Sequence, residues 1–412
     1  MQFGLIGKTL AHSYSAEIHE SIGDYRYELL ELAENQLADF LKRRDFSGIN
    51  VTIPYKEAVI PFLDEISESA KAIGAVNTIV NKNGRLSGYN TDFAGLKSLL
   101  DFNNISVTGK KVAITGTGGT SKTAYAVAKS LGAGEILFVS RTKRENTVTY
   151  SDLYENHKDT GVIINTTPVG MFPDTEGTPV SIDRLPKLSA VVDVIYNPLR
   201  TNLLLDAKER CIPCSGGLYM LAAQAVYASA LFTGTEADGE KIEKAFYGVA
   251  RKKENIVLVG MPSSGKSTVG RLIAKKINRG FFDSDTEITA KTKLSPREMI
   301  ERYGEAAFRK TETEVIAELS KKSGAVIATG GGAVLCRDNV KALRRNGVIV
   351  FLNPPVKNLR PTPDRPLSSD YASLERLYSE RLPIYKEAAD IETVPCRTPH
   401  DTAAKIIKEL AL

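Results

Sequence analysis

Short apolar runs punctuate the chain from residue 111 onward, at Lys111–Ile114, Glu135–Val139, Gly161–Ile164, Ala190–Val194, Asn255–Val259, Ala325–Ala328 and Val348–Leu352. Each is followed by a glycine-rich turn or by a helical spacing of apolar positions. Continuous apolar runs of this length suit strands buried on both faces, and their alternation with helices predicts parallel sheets covered on either side. The chain therefore reads as α/β. Two glycine-rich loops, at Gly116 and Gly260, each follow such a strand and open separate α/β units. Between them residues 236–251 are expected to form a helix, and the charged stretch 251–254 a short joint before the next strand.

The 412-residue length favours two or three domains, and the composition is that of ordinary globular protein, without repeats or low-complexity segments. The formal charge of +5 reflects 54 basic against 49 acidic residues, with no basic run or aromatic-interleaved stripe. That pattern excludes a nucleic-acid binder and suits phosphate and carboxylate ligands. The four cysteines are too few for a disulfide framework, and Cys211 and Cys214, although in CxxC spacing, are expected to be free thiols near a strand end. The first apolar run is too short for a signal peptide and no segment is long enough for a membrane span, so a cytoplasmic protein without membrane contact is expected.

The first loop, Gly116-Thr117-Gly118-Gly119, lies between a strand and a helix, where backbone N–H groups can face a pyrophosphate. Such turns also occur for packing alone. The next strand ends in Ser140-Arg141-Thr142-Lys143-Arg144, where an NAD site would place an acidic residue for the ribose hydroxyl. Cations there favour the 2′-phosphate of NADP. Before this unit stand three polar clusters: Ser13-Tyr14-Ser15, Asn50 to Lys56, and Asn77-Thr78 with Asn90-Thr91-Asp92. They suit an oxygen-rich ligand. Ketone reduction needs a proton on oxygen, and Lys56 held by Asp92 could deliver it; a surface lysine and a capping aspartate are the other reading.

The stretches HSYSAEIHE, INVTIPYK, GAVNTIV, GYNTDFAG, GTGGTSKTA, NTTPVGM, DVIYNP and GGLYMLAAQA, in that order, resemble the shikimate dehydrogenase family. The resemblance implies a substrate-binding α/β domain at 1–101, completed by 216–249, and a Rossmann-like NADP domain at 102–215. It implies that Ser13 and Ser15 bind the substrate carboxylate, that Thr52, Asn77, Tyr196 and Gln224 surround the ring, and that Lys56 and Asp92 are catalytic. Gly116, Gly118, Gly119, Arg141, Thr142 and Asn165 would meet NADP(H), with Ser140 beside them and Gly217 and Met220 near the nicotinamide. Ser140 stands where the family usually has Asn, and the short stretch 143–164 implies that a helix and a strand are shortened or missing.

The second loop, Gly260-Met261-Pro262-Ser263-Ser264-Gly265-Lys266-Ser267-Thr268, is a full phosphate-loop motif. Its amides would cradle the phosphates of ATP, Lys266 would reach the β- and γ-phosphates, and the Ser267 hydroxyl would ligate Mg²⁺. Downstream, Asp283 would hold the metal's water shell and Asp285 would receive an acceptor hydroxyl. Arg309 and Arg381 could clamp a carboxylate near Gly330-Gly331-Gly332. Taken singly these residues read equally well as turn, loop and surface helix. Together they resemble shikimate kinase over 253–412, a phosphate-loop domain with a parallel sheet. That resemblance implies acceptor contacts from Gly331 and Gly332, a lid arginine at Arg365 over the transferred phosphate, and Arg360 against adenine. The lid is shorter than the family's.

The expectation is a bifunctional enzyme acting on two small molecules: NADPH reduces 3-dehydroshikimate to shikimate, then MgATP phosphorylates shikimate, steps toward chorismate and the aromatic amino acids. The alternatives are a catalytically silent sensor of shikimate or quinate, and a quinate-accepting dehydrogenase.

Overall fold

The computed structural model describes residues 2–10, 13–360 and 370–412. The chain divides into two compact units, Met1–Ala250 and Arg251–Leu412.

The first unit opens with β1 (Phe3–Gly7), α1 (Ser15–Ile22), β2 (Tyr27–Glu31), α2 (Leu37–Arg43), β3 (Gly48–Val51), β4 (Glu65–Ile66), α3 (Glu68–Ile73), β5 (Thr78–Lys82), β6 (Arg85–Tyr89) and α4 (Thr91–Phe102). Its strands form a sheet in the order β2-β1-β3-β5-β6-β4. This sheet, which lies before the apolar runs that predicted parallel sheets, is mixed: β5 runs antiparallel to both β3 and β6. The cause is local. Asn83 and Gly84 both take positive φ, 53° and 83°, between β5 and β6, the backbone a tight hairpin requires.

A second sheet follows, from β7 (Lys111–Thr115), α5 (Gly119–Ser130), β8 (Glu135–Ser140), β9 (Thr147–Thr149), α6 (Tyr150–Asn156), β10 (Val162–Asn165), β11 (Ala190–Asp193), α7 (Asn202–Glu209) and β12 (Cys214–Gly216). It is parallel throughout, in the order β12-β11-β10-β7-β8-β9. Alternate residues serve opposite faces: Val112, Ile114, Val162 and Ile164 join one core cluster, whereas Ala113, Val139, Ile163 and Val191 join another. Chain order reverses at β7, with β8 on one side and β10 on the other. The glycine loop after β7 thus lies at the switch point, where open α/β sheets bind ligands. Strand β9 is kept at three residues, but no helix lies in 141–146 between it and its parallel neighbour β8. Parallel neighbours normally need a far longer crossover.

Helix α8 (Leu218–Thr233) then packs its buried face against α4 and α1, through Met220, Ala223 and Val226 on Leu96, Leu99 and Leu100, and Ala222 and Ala225 on Ile18. Helix α9 (Gly239–Lys253) extends through the residues expected to form a charged joint, leaving Glu254 before the next strand. All four cysteines are free.

The second unit contains β13 (Asn255–Val259), α10 (Lys266–Lys276), β14 (Phe281–Asp283), α11 (Ser284–Thr292), α12 (Pro296–Ser320), β15 (Val326–Ala328), α13 (Arg337–Asn346), β16 (Gly347–Leu352), α14 (Tyr371–Ala388), β17 (Ile391–Thr393) and α15 (Pro399–Glu409). Its sheet is parallel, in the order β14-β15-β13-β16-β17. Both sheet faces are apolar: Val257, Ile327 and Phe351 face one cluster, Ile256, Val326 and Val350 the other. Ser295 caps α12 in a reciprocal box with Glu298, and Gly304 breaks the helix at φ 83°, ψ 162°. Among the described residues no helix is long and apolar enough to cross a membrane.

Candidate functional site

In the first unit the polar clusters converge. Asn90 caps α4, its Oδ1 accepting from Phe93 N at 3.3 Å, and its Nδ2 donates to Ala75 O at 2.9 Å. The cap fixes the first turn, which carries Asp92. Lys56, in the turn after β3, reaches it: Nζ lies 2.6 Å from Asp92 Oδ2, with side-chain exposures of 18% and 11%. Asn77 Oδ1 accepts from Thr91 N at 2.7 Å, and Thr91 Oγ1 donates to Gln224 Oε1 at 3.4 Å, which brings α8 into the same network.

Of these, Lys56, Asn77, Asp92 and Gln224 line a cavity of about 510 Å³. Ser13, Ser15, Thr52 and Asn77 contribute to its wall, and so do Tyr196, Gly217, Met220 and Gln224. Tyr196 packs against Tyr14 with ring centroids 5.2 Å apart, and burial pushes its hydroxyl up to about 12, so it remains a proton donor at neutral pH.

A neighbouring cavity of about 960 Å³ shares Lys56, Thr120, Thr166 and Thr167 with the first. It is lined by Gly116, Gly118 and Gly119 on one side and by Ser140, Arg141 and Thr142 on the other. Gly116 has φ 103°, and a Cβ there would meet Thr166 Oγ1 at 2.8 Å, so glycine keeps the loop low and the space over the α5 N-terminus open. An open helix start faced by Arg141 and Arg144 fits a phosphorylated dinucleotide. Ser140 Oγ hydrogen-bonds Thr142 O and reaches Thr147 Oγ1 at 3.3 Å, tying the loop after β8 to β9.

In the second unit Gly265 caps α10, and Lys266 folds back so that its Nζ donates to Gly260 O and Met261 O, both at 2.9 Å. Ser267 Oγ donates to Asp283 Oδ2 at 2.6 Å, while Asp283 Oδ1 caps α11 through Asp285 N at 3.0 Å. Thr268 follows in the first turn of α10, itself exposed between buried Lys266 and Val269. Among the described residues no group of three or more His, Cys, Asp or Glu could hold a metal ion. Two oxygen donors, Ser267 and Asp283, nonetheless fit Mg²⁺, which takes most of its ligands from phosphate and water.

Beside this loop a cavity of about 600 Å³ is lined by Asp285, Arg309, Glu312, Gly331, Gly332 and Arg381 among others. Arg381 Nη1 donates to Gly331 O at 3.0 Å and Arg309 Nη1 to Glu312 Oε2 at 2.7 Å. Glu312 is buried, its Oε1 has no hydrogen-bond partner in the structure, and burial raises its pKa against the pull of Arg309. A buried acceptor without a partner, next to two arginines and Asp285, suits a ligand bearing both hydroxyl and carboxylate.

The N-terminal part of the chain is 37% identical over 262 residues to the NADP⁺-dependent shikimate dehydrogenase of Clostridium perfringens, covering 59% of this chain and 96% of that relative. The chain belongs to the shikimate dehydrogenase family. Residues 5–79 match the model of the shikimate dehydrogenase substrate-binding domain, and residues 262–411 match that of shikimate kinase. Among solved structures, a chorismate mutase/shikimate 5-dehydrogenase fusion protein from Clostridium acetobutylicum aligns at 33% identity and TM-score 0.58, covering 61% of this chain and 97% of that one. The shikimate 5-dehydrogenase of Thermus thermophilus, in complex with NADP(H) and shikimate, aligns at 31% identity and TM-score 0.54, covering 60% and 98%.

Not every residue picked from the sequence reaches a cavity. Asn165 is fully buried beneath the dehydrogenase family's glycine loop: its Oδ1 accepts from Thr115 Oγ1 at 2.7 Å and Thr167 N at 3.0 Å, and its Nδ2 donates to Asp193 Oδ1 at 2.9 Å. It shapes the loop, and Thr166 and Thr167 line the cavity in its place. In the unit matching shikimate kinase, Arg360 is exposed and lines none of these cavities, and Arg365 lies outside the described residues. Glu312 was not singled out in sequence, although an acid three positions after Arg309 on a helix is the signal for an ion-pair partner.

Proposed function

We propose that this chain reduces 3-dehydroshikimate to shikimate with NADPH and then phosphorylates shikimate with MgATP. The observation that carries the reading is the Lys56–Asp92 pair, at 2.6 Å, set in a cavity walled by Ser13, Ser15, Asn77 and Gln224 and adjoining a cavity fit for NADPH. When bound, NADPH would supply the hydride. The serine hydroxyls would hold the substrate carboxylate, Asn77 and Gln224 the ring hydroxyls, and Lys56, oriented by Asp92, would place a proton on the carbonyl oxygen. Residues 1–101 with 216–249 would form the substrate part and 102–215 the cofactor part.

In the second unit Lys266 would leave the loop carbonyls for the phosphates, and Ser267 with Asp283 would hold the metal. Asp285 would accept the proton of the attacking hydroxyl while Arg309 and Arg381 hold the carboxylate. The reaction made possible by the first unit yields the acid that the second consumes, a place in chorismate biosynthesis. With purified chain, NADPH and 3-dehydroshikimate, NADPH oxidation is expected, followed on adding MgATP by ADP release with equal consumption of shikimate. Intact shikimate binding without either turnover would instead indicate a sensor, and preference for quinate would reassign the substrate.

A further inference from the structure

The guanidinium of Arg309 is engaged on two edges in this structure. Nη1 donates to the buried Glu312 at 2.7 Å, while Nη2 and Nε both donate to Glu305 Oε1, at 3.0 and 3.3 Å. The two carboxylates differ in setting. Glu312 is 1% exposed in its side chain and Glu305 is 51% exposed. Glu305 also follows Gly304 directly, the residue at which α12 leaves helical geometry. Both it and Arg309 line the cavity that holds Asp285 and Arg381.

An arginine takes a carboxylate best through two parallel N–H···O bonds along one edge of its fork. The Nε–Nη2 edge is the free-standing one here, since Nη1 is committed to a buried partner, and Glu305 covers it with a single oxygen shared by both donors. We infer that Glu305 is an internal competitor for the carboxylate of the acceptor: it holds the Nε–Nη2 edge of Arg309 while the cavity is empty and is displaced into water when an acid binds there. The inference rests on the reading that this unit phosphorylates an acidic acceptor. Glu305 acts through Arg309 and thereby sets how tightly the acid is held.

The contact is half exposed and single-oxygen, so removing it should strengthen acid binding by about two- to fivefold. In the full chain, Glu305→Gln and Glu305→Ala are assayed for ATP-dependent phosphorylation of shikimate. The expected result is a KM for shikimate lowered by that factor in Ala and by as much or less in Gln, whose amide oxygen can still accept. The KM for ATP and the dehydrogenase rate of the same preparations stay fixed. A KM for shikimate that is unmoved or raised in Glu305→Ala would overturn the inference, because it would make Glu305 a bystander or a support for Arg309. Absence of shikimate-dependent ADP release from the unaltered chain would remove the acceptor assignment itself, a result distinct from either.

Discussion

Lys56 and Asp92 stand 36 positions apart in sequence yet meet at 2.6 Å, one from the turn after β3 and the other from the capped first turn of α4. Neither element alone would hold an ammonium over the cavity. With Asp92 fixed by the cap at Asn90, the ion pair aims the lysine. Lys56→Ala should lower shikimate formation by roughly 10²–10⁴, the usual worth of a positioned general acid, with the kinase reaction of the same chain intact. Steady-state NADPH oxidation checks this, and an unaltered rate would strip Lys56 of its role.

Ser267 and Asp283 form the corresponding pair in the second unit, at 2.6 Å between α10 and the end of β14. Asp283→Asn keeps the cap on α11 but weakens the hold on a metal's water shell. The Mg²⁺ concentration for half-maximal phosphorylation should rise roughly 10- to 100-fold, with no change in NADPH oxidation. A magnesium titration giving the same midpoint as the unaltered chain would argue that Asp283 is only a helix cap.

Much of this was legible from sequence because its determinants are short-range. From residue 111 onward the long buried strands announced themselves as apolar runs, whereas the buried β1 and β3 did not, and each phosphate loop is one continuous strand–turn–helix segment. The shape of the first sheet was harder: the Asn83-Gly84 turn reverses β6 on β5, and an extended apolar segment carries no mark of its neighbour's direction. The shortness of the stretch 143–164 was legible, but which element it retains was not: the three-residue β9 stays beside β8 without a helix in 141–146, and Ser140 reaches Thr147 across the loop, a contact that spacing alone does not announce. Asn165 shows the reverse limit: expected from the resemblance to meet NADP, it ends β10 with its side chain turned inward to bond Thr115 and Asp193. Glu305 and Glu312 gained meaning only once Arg309 was seen between them.

Close packing makes Gly332 a test of the acceptor site. A Cβ at this position would fall well inside contact distance of both Arg309 Nη1 and Nη2, so Gly332→Ala must push the guanidinium away. Losing a charge-assisted contact to the acid should raise the KM for shikimate in the kinase reaction roughly tenfold or more. Dehydrogenase kinetics should not move. If the KM held, the carboxylate would have to be bound elsewhere than at Arg309.

His19 supplies a stability prediction in the first unit. It is fully buried, stacked on Tyr27 with ring centroids 3.9 Å apart and hydrogen-bonded with Tyr25 through Nδ1 at 2.7 Å. Burial drives its pKa from 6.5 down to about 3, against a smaller opposing contribution from Asn50. The folded state therefore resists the proton that the unfolded chain accepts below pH 6.5. The stability gained from keeping this ring neutral is complete above that pH and declines as the pH falls toward 3. Between pH 7 and pH 5 the loss should be about 2 kcal/mol, at ~1.36 kcal/mol per pKa unit. Replacing the ring in His19→Gln removes the titration, so the stability difference between unaltered chain and variant should shrink by that amount over the same interval. Urea unfolding followed by pulse proteolysis of the first unit, at pH 7 and pH 5, measures it; a difference independent of pH would show that His19 is protonated with equal ease in both states.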